Sequence, residues 1–314
     1  MDSRLSIEAD ELTKSYDGFT AVDHLTIRVE EGEIYGFLGP NGAGKTTTIL
    51  MLLGLTEPTS GIASVCGYNS SREPLSVKRI TGYLPENLGF YEDLTATENL
   101  HYVARLNNVP EERISERISE LLMLVGLPGS ADQKIETFSK GMKQRLGIAG
   151  VLVKEPSLII LDEPTAGLDP EGASSVLDLI LKLSQEQKIT VLLSSHLLHQ
   201  VQKICHRVGI LSKGQLVAEG PVAQLEAQLH TEEKFKVEIE TAEAVPRLVD
   251  SLKQIDGVAA IDGFDNRLVV TCERDIRPQL ARGVVEDGGS LIQMNIIGRG
   301  LEEIYLRYFH EEGK

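Results

Sequence analysis

The stretch Gly39-Pro40-Asn41-Gly42-Ala43-Gly44-Lys45-Thr46-Thr47 decides the fold. It fits the Gly-x-x-x-x-Gly-Lys-[Ser/Thr] spacing of a phosphate-binding loop. Upstream, Ile34 to Leu38 reads as a short buried strand. Downstream, Thr46 to Leu53 reads as a helix with apolar Ile49, Leu50, Leu52 and Leu53. A strand, a glycine loop and a helix start make an anion site, because free backbone amides and the positive end of the helix dipole converge there. The pattern assigns Lys45 to the outer phosphates of a nucleotide and the Thr46 hydroxyl to a magnesium ion. Gly39, Gly42 and Gly44 let the backbone approach the phosphates without a Cβ in the way. With Asn41 and Thr47 they complete the candidate contacts of the loop.

Working outward, Leu158-Ile159-Ile160-Leu161 is a continuous apolar run. Such a run suits a central parallel strand covered on both faces. It delivers Asp162-Glu163 at its carboxyl end, where open α/β sheets carry their chemistry. Asp162 reads as a magnesium holder acting through water, and Glu163 as the group that polarises an attacking water. Ile189 to Leu193 is a further buried strand, ending at Ser194-Ser195-His196. Tyr16, upstream of the loop, is on spacing alone either a stacking platform for a base or a core tyrosine. One phosphate loop serves kinases, switches and motors alike, so these residues imply nucleotide hydrolysis without naming the class.

The rest of the first two thirds alternates strands and helices. Leu5 to Leu12 and Leu25 to Val29 read as strands, Glu57 to Gly61 as a turn, and Ile62 to Cys66 and Ile80 to Leu84 as strands. From Thr95 the signal turns helical. Thr95 and Glu98 have capping-box spacing, and Ile114, Ile118, Leu121 and Val125 share one helix face. Phe138 to Arg145 leads into an apolar helix ending before Pro156. Residues of about 95–155 thus read as a helical subdomain. A helix over 171–187, another from Leu197 to Cys205, and a hairpin around Lys213-Gly214 follow. A polar patch at Thr231 to Lys234 marks the expected boundary, giving residues 1–230 and 231–314 as two domains. The second repeats β-α-β-β-α-β, the order of a split βαβ sheet of ferredoxin type, and ends in a helix with Leu301, Ile304, Tyr305 and Phe309. The expected fold class is an α/β phosphate-loop domain with a helical insertion, followed by a small α+β domain.

Charge and composition narrow the partners. The chain carries 31 basic and 47 acidic residues, a formal net charge of -16. General nucleic-acid binding, which needs a basic surface, is not expected. Cys66, Cys205 and Cys272 share no metal-ligand spacing, and an odd number argues against a disulfide framework. No apolar run approaches the roughly 18 residues needed to span a bilayer. Met1 to Arg4 lacks the basic-then-apolar pattern of a secretory signal. A cytoplasmic location follows, with any membrane spans supplied by another subunit.

The further landmarks resemble the nucleotide-binding subunit of an ATP-binding cassette (ABC) transporter over about residues 5 to 225. Phe138-Ser139-Lys140-Gly141-Met142 is similar to the family signature Leu-Ser-Gly-Gly-Gln. Leu158 to Glu163 resembles the Walker B strand with its catalytic glutamate, Ala166 to Asp169 the D-loop, and His196 the switch histidine. The resemblance puts Tyr16 at the adenine-stacking position. It implies ATP and Mg2+, with Lys45, Glu163 and His196 catalytic and Ser139 and Gly141 reaching the γ-phosphate held by a second copy. Thr46, Asp162 and Glu86 are the implied metal contacts. It further implies a separate multi-span membrane subunit, contacted near Glu86 to Tyr91, and a place on the inner face of the cell membrane.

Three positions depart from the family pattern. Glu86 stands where the Q-loop has glutamine, and a carboxylate cannot donate the amide hydrogen bonds of that residue. Lys140 and Met142 replace glycine and glutamine of the signature. These variants, with Pro85-Glu86-Asn87 and Leu301-Glu302-Glu303-Ile304-Tyr305, resemble an exporter branch serving ABC-2 type membrane subunits. Cassettes for drug export, sodium export and copper-enzyme maturation share them. A soluble cassette ATPase of DNA repair or ribosomes is the competing class, but its usual long coiled-coil insert or second cassette is missing. A third reading makes the C-terminal domain a ligand sensor, although its residues name no pocket.

Overall fold

A computed structural model describes residues 4–197, 201–225, 235–244 and 248–297. The chain divides into two compact units, Met1–Val222 and Ala223–Lys314. The first opens with a long antiparallel hairpin, β1 (Leu5–Tyr16) and β2 (Phe19–Glu30), closed by Asp17 and Gly18 with φ of 36° and 89°. Both strands are longer than the sequence suggests. Glu11 and His24 sit in the left-handed region at φ 50°, and the register shifts between Ala9 and Leu12 and again before Lys14. Each bulge switches the face of the residues beyond it, so the ladder continues while alternation in the sequence is broken. β4 (Ser60–Val65) and β5 (Tyr68–Asn69) extend this sheet in the order β2-β1-β4-β5.

The second sheet of this unit holds the site. Its order is β10-β9-β3-β8-β7-β6, from β3 (Ile34–Leu38), β6 (Thr81–Leu84), β7 (Leu158–Asp162), β8 (Thr190–Ser195), β9 (Arg207–Ser212) and β10 (Gln215–Pro221). β9, β3, β8, β7 and β6 pair in parallel, and β10 closes the edge antiparallel to β9. Every residue of β3, β7 and β8 is buried. Each fully buried Leu, Ile or Val contributes roughly 1.5–3 kcal/mol from removal of apolar area from water. The register Leu38↔Ser195 and Asp162↔Ser194 brings the strands' carboxyl ends to one edge.

The helices that follow these strands are α1 (Lys45–Leu52) and α2 (Pro74–Ile80), then α3 (Ala96–Leu106), α4 (Glu111–Leu124) and α5 (Lys140–Leu152), with α6 (Pro170–Gln187) after β7. Thr95 caps α3 through the expected box, accepting from the Glu98 amide while the Glu98 carboxylate accepts from the Thr95 amide. Ile114, Ile118, Leu121 and Val125 are buried together, as their spacing requires. The helix expected over Leu197 to Cys205 includes residues 198–200, outside the described residues.

The second unit contains β11 (Phe235–Thr241), α7 (Leu248–Leu252), β12 (Val258–Phe264), β13 (Arg267–Cys272), α8 (Arg277–Glu286) and β14 (Leu291–Ile297). Its sheet runs β12-β13-β11-β14, antiparallel throughout. Strand β13 lies between β11 and β12, the split arrangement that the β-α-β-β-α-β order anticipates. Val237, Ile239, Val270, Leu280 and Val284 form its core. The boundary patch at 231–234 and the final helix with Leu301 and Tyr305 lie outside the described residues. Among the described residues, no helix is long and apolar enough to cross a membrane.

Candidate active site

The glycine loop runs from the end of β3 to the start of α1. Gly42 and Gly44 adopt φ of 82° and 102°. Gly44 is fixed by crowding as well as by its dihedral. A Cβ there would lie 2.5 Å from the Ala21 carbonyl oxygen of β2. Around it the loop is tied down by backbone bonds, Gly214 N–H to the Ala43 carbonyl at 3.0 Å and Asp23 N–H to the Gly214 carbonyl at 2.9 Å. Gly44→Ala is therefore expected to cost at least about 1–3 kcal/mol in backbone strain alone. Chemical denaturation checks this, and an unchanged midpoint would refute the role given to Gly44.

Lys45 is buried and its ammonium donates to the Gly39 carbonyl at 2.6 Å and the Pro40 carbonyl at 3.2 Å. The same Nζ lies 3.2 Å from Glu163 Oε1. The Thr46 hydroxyl donates to Asp162 Oδ2 at 3.0 Å. Ser194 donates to Asp162 Oδ1 at 2.5 Å and accepts from the Glu163 amide at 3.0 Å. This serine orients both acidic residues from the adjacent strand, and nothing in the sequence singled it out. Glu163 itself leaves β7 in the left-handed region, at φ 50°. Its Oε2 lies 2.8 Å from His196 Nδ1. One carboxylate thus connects three adjacent strand ends: β3 through Lys45, β7 through its own backbone, and β8 through His196. Burial, with the charge of Asp162, pushes the nearby Tyr83 phenol up to about 12, so it stays protonated.

A cleft of about 400 Å³ opens above the loop, lined by Phe19, Asn41, Gly42, Gly44, Lys45, Thr46, Thr47, Glu86 and Glu163 among others. The residues fit a nucleotide polyphosphate. Glu163 Oε1 is buried with no hydrogen-bond partner, and the loop's one cation is held by its own carbonyls. A Cβ on Gly42 would meet nothing within 4 Å, which leaves that wall open. Thr46 and Asp162 present adjacent hard oxygens, suited to a small divalent cation. Among the described residues no group of three His, Cys, Asp or Glu side chains forms a metal cage, so phosphate and water would supply the other ligands.

Gly39, Asp162 and His196 do not line this cleft but touch its Lys45, Thr46 and Glu163, whereas Ser139, Gly141 and Tyr16 neither line it nor touch those residues. Ser139 caps α5, accepting from the Met142 amide at 3.2 Å, and Gly141 faces open space. Tyr16 is half-exposed, with the Lys14 ammonium 4.9 Å from its ring centroid. The aromatic side chain that lines the cleft is Phe19, directly opposite Tyr16 across the hairpin turn and 64% exposed. The signal that could have found it is a large apolar residue immediately after a turn, where no core claims it.

A phosphate loop joined to a strand-end carboxylate pair and a histidine defines a P-loop nucleoside triphosphatase. The ABC transporter family model matches residues 22–166. The bacitracin transport ATP-binding protein BcrA of Bacillus licheniformis is 46% identical over 70% of this chain and 71% of its own length. YxlF of Bacillus subtilis, described as an uncharacterized ABC transporter ATP-binding protein, is 36% identical over 98% of this chain and 99% of its own. Among solved structures, the dimeric bacterial ABC transporter cassette MJ0796 is 26% identical, with a TM-score of 0.62, over 68% of this chain and 98% of that one. The chain belongs to the ABC transporter ATP-binding family, and it is an ATP-hydrolysing transporter subunit.

Proposed function

We infer that the chain powers an ABC-2 type exporter from the inner face of the cell membrane, as a homodimer that sandwiches ATP. The observation that carries this reading is the separation of Ser139 and Gly141 from the cleft lined by Lys45 and Glu163. A second copy related by a two-fold axis supplies the missing signature face to each site. The dimeric cassette MJ0796 supports this, and the name of BcrA supports a transport role.

In the mechanism, Lys45 leaves its loop carbonyls for the phosphates and neutralises their charge. Glu163, freed from Lys45, polarises the attacking water and takes up its proton. His196 contacts the γ-phosphate and reports its loss through Glu163. Phe19 supplies the aromatic wall for the base, beside the family position at Tyr16. Thr46, Asp162 and Glu86 would hold Mg2+, which would neutralise charge on the phosphates. Residues 1–230 form the ATPase domain, with its helical subdomain at about 95–155. Residues 231–314 form an accessory domain that extends the dimer or tunes the rate.

The membrane subunit docks beside Glu86. A hollow of about 290 Å³ is lined by Tyr83, Leu84, Pro85, Leu88, Phe90, Leu100 and Val103. Pro85 faces this hollow while Glu86, the next residue, faces the nucleotide cleft. One short segment therefore touches both places. The test is purification from native membranes: a multi-span protein is expected to co-purify. Phe90→Asp, which puts an unpaired charge into the contact, is expected to cut its yield at least about tenfold. Recovery only with ribosomes or DNA would refute the reading.

A further inference from the structure

A second hollow, of about 570 Å³, adjoins the first and shares Asn107 and Lys154 with it. Its character is different. Lys78 and Arg79, in the last turn of α2, and Lys154 line it together with Leu75 and Leu106. The two leucines are 70% and 65% exposed, in a place where no core uses them. None of the three cations forms an ion pair among the described residues. The neighbouring Arg105, Arg113 and Arg117 all do, with Glu111, Glu155 and Glu120. In a chain of net charge -16, three adjacent unpaired cations are a local reversal of the protein's field. Basic residues ending a helix complement its dipole. Here, however, the Lys78 carbonyl is already taken by the Lys154 ammonium at 2.6 Å, which fixes that lysine at the junction of the two hollows.

We propose that this hollow receives an acidic, amphipathic helical segment from the cytoplasmic face of the membrane subunit, with its carboxylates on Lys78, Arg79 and Lys154 and its apolar side on Leu75 and Leu106. The proposal rests on the membrane-subunit reading above and names the chemistry of the partner at a place beyond the Phe90 groove. Charge complementarity selects the occupant. The chain's acidic surplus repels an acidic segment over most of its surface, so the cationic hollow also sets the register of docking. Concavity favours a helix over a lipid plane, and continuity with the apolar groove lets one segment run across both.

The test is fluorescence anisotropy of the full chain with a labelled helical peptide bearing Leu on one face and Glu on the other. The same peptide with Lys for Glu is the comparison. The Glu peptide is expected to bind, the Lys peptide not. Raising ionic strength from about 0.05 to about 0.3 M should weaken binding, because the contacts are partly exposed. The K78E/R79E double variant should weaken it at least about tenfold while leaving ATP hydrolysis by the isolated subunit unchanged. K78A/R79A, which introduces no new charge, should show a smaller loss in the same direction, and matching thermal unfolding of all three proteins excludes misfolding as the cause. Equal binding of both peptides, no binding of the Glu peptide, or retention on vesicles containing phosphatidylglycerol without peptide binding would each overturn the proposal. Co-purification with the membrane subunit separates it from the parent reading. If K78E/R79E leaves the yield intact while Phe90→Asp abolishes it, the acidic partner is wrong and the groove stands. If neither variant lowers the yield, the groove reading has failed as well.

Discussion

Glu163→Gln is expected to slow ATP hydrolysis by at least about two orders of magnitude while ATP binding is kept. The size follows from losing transition-state contacts worth about 3 kcal/mol. The direction of the binding change follows from the cleft itself. Among its lining residues Lys45 is a cation, whereas Glu86 and Glu163 are carboxylates. An incoming polyphosphate therefore meets more negative than positive side-chain charge, and removing one carboxylate raises its affinity or leaves it level. Glutamine keeps the shape of the side chain, so the His196 neighbour retains a polar partner at the position now 2.8 Å away. Phosphate release measures the rate, and calorimetry with MgATP measures binding. Turnover at the wild-type rate would remove Glu163 from the chemistry. Lost binding would instead show that Glu163 holds Lys45 in place, since their 3.2 Å contact ties the loop cation to the residue that follows β7.

The parts of the fold that sequence made legible are those in which local chemistry and tertiary burial agree. Ile34 to Leu38 and Leu158 to Leu161 are apolar without interruption because both sheet faces are covered, and they are the strands carrying the site. Gly44 is legible through the phosphate-loop spacing, and its backbone conformation and closeness to Ala21 are why that position demands glycine. Helix α2 leaves no sequence signature. Val77 is its one buried residue, so no apolar periodicity exists to be seen, and Leu75 is left on the surface. The helical signal that begins at Thr95 is interrupted at Asn107 to Pro110, where Asn108 takes φ 57° and Pro110 is the N-cap of α4.

The site divides in the same manner. Lys45, Thr46, Asp162, Glu163 and His196 converge because each sits at the carboxyl end of a buried parallel strand, just beyond it, or in the first turn of the helix that follows, a placement that sequence order already implies. Ser194 is invisible to sequence reasoning because a serine in a buried strand has no motif. Its importance comes from the pairing of β8 with β7, which only register reveals. The family position points to Tyr16 rather than Phe19, and the hairpin puts the two aromatics opposite each other.

Mixing two inactive variants is expected to restore activity. Lys45→Ala removes the phosphate cation, and Ser139→Arg blocks the signature face with a long charged side chain. Each alone leaves both sites of a homodimer defective, and each is expected to lose hydrolysis about 100-fold or more. In a mixed dimer the defects segregate if the site is completed in trans. One site then collects both substitutions, while the other pairs a native Lys45 with a native Ser139. Random exchange makes about half the dimers mixed, each with one intact site, so recovery of about a quarter of wild-type activity is the ceiling for independent sites. The geometry within one chain gives the opposite result no route. Ser139 uses its hydroxyl to cap α5, Gly141 faces open space, and neither lines the cleft where Lys45 sits. Phosphate release is measured for each variant alone and for the mixture after exchange at saturating MgATP. A mixture no more active than its components would place Ser139 in the same site as the Lys45 of its own chain, and the ATP-sandwiched dimer would have to be abandoned.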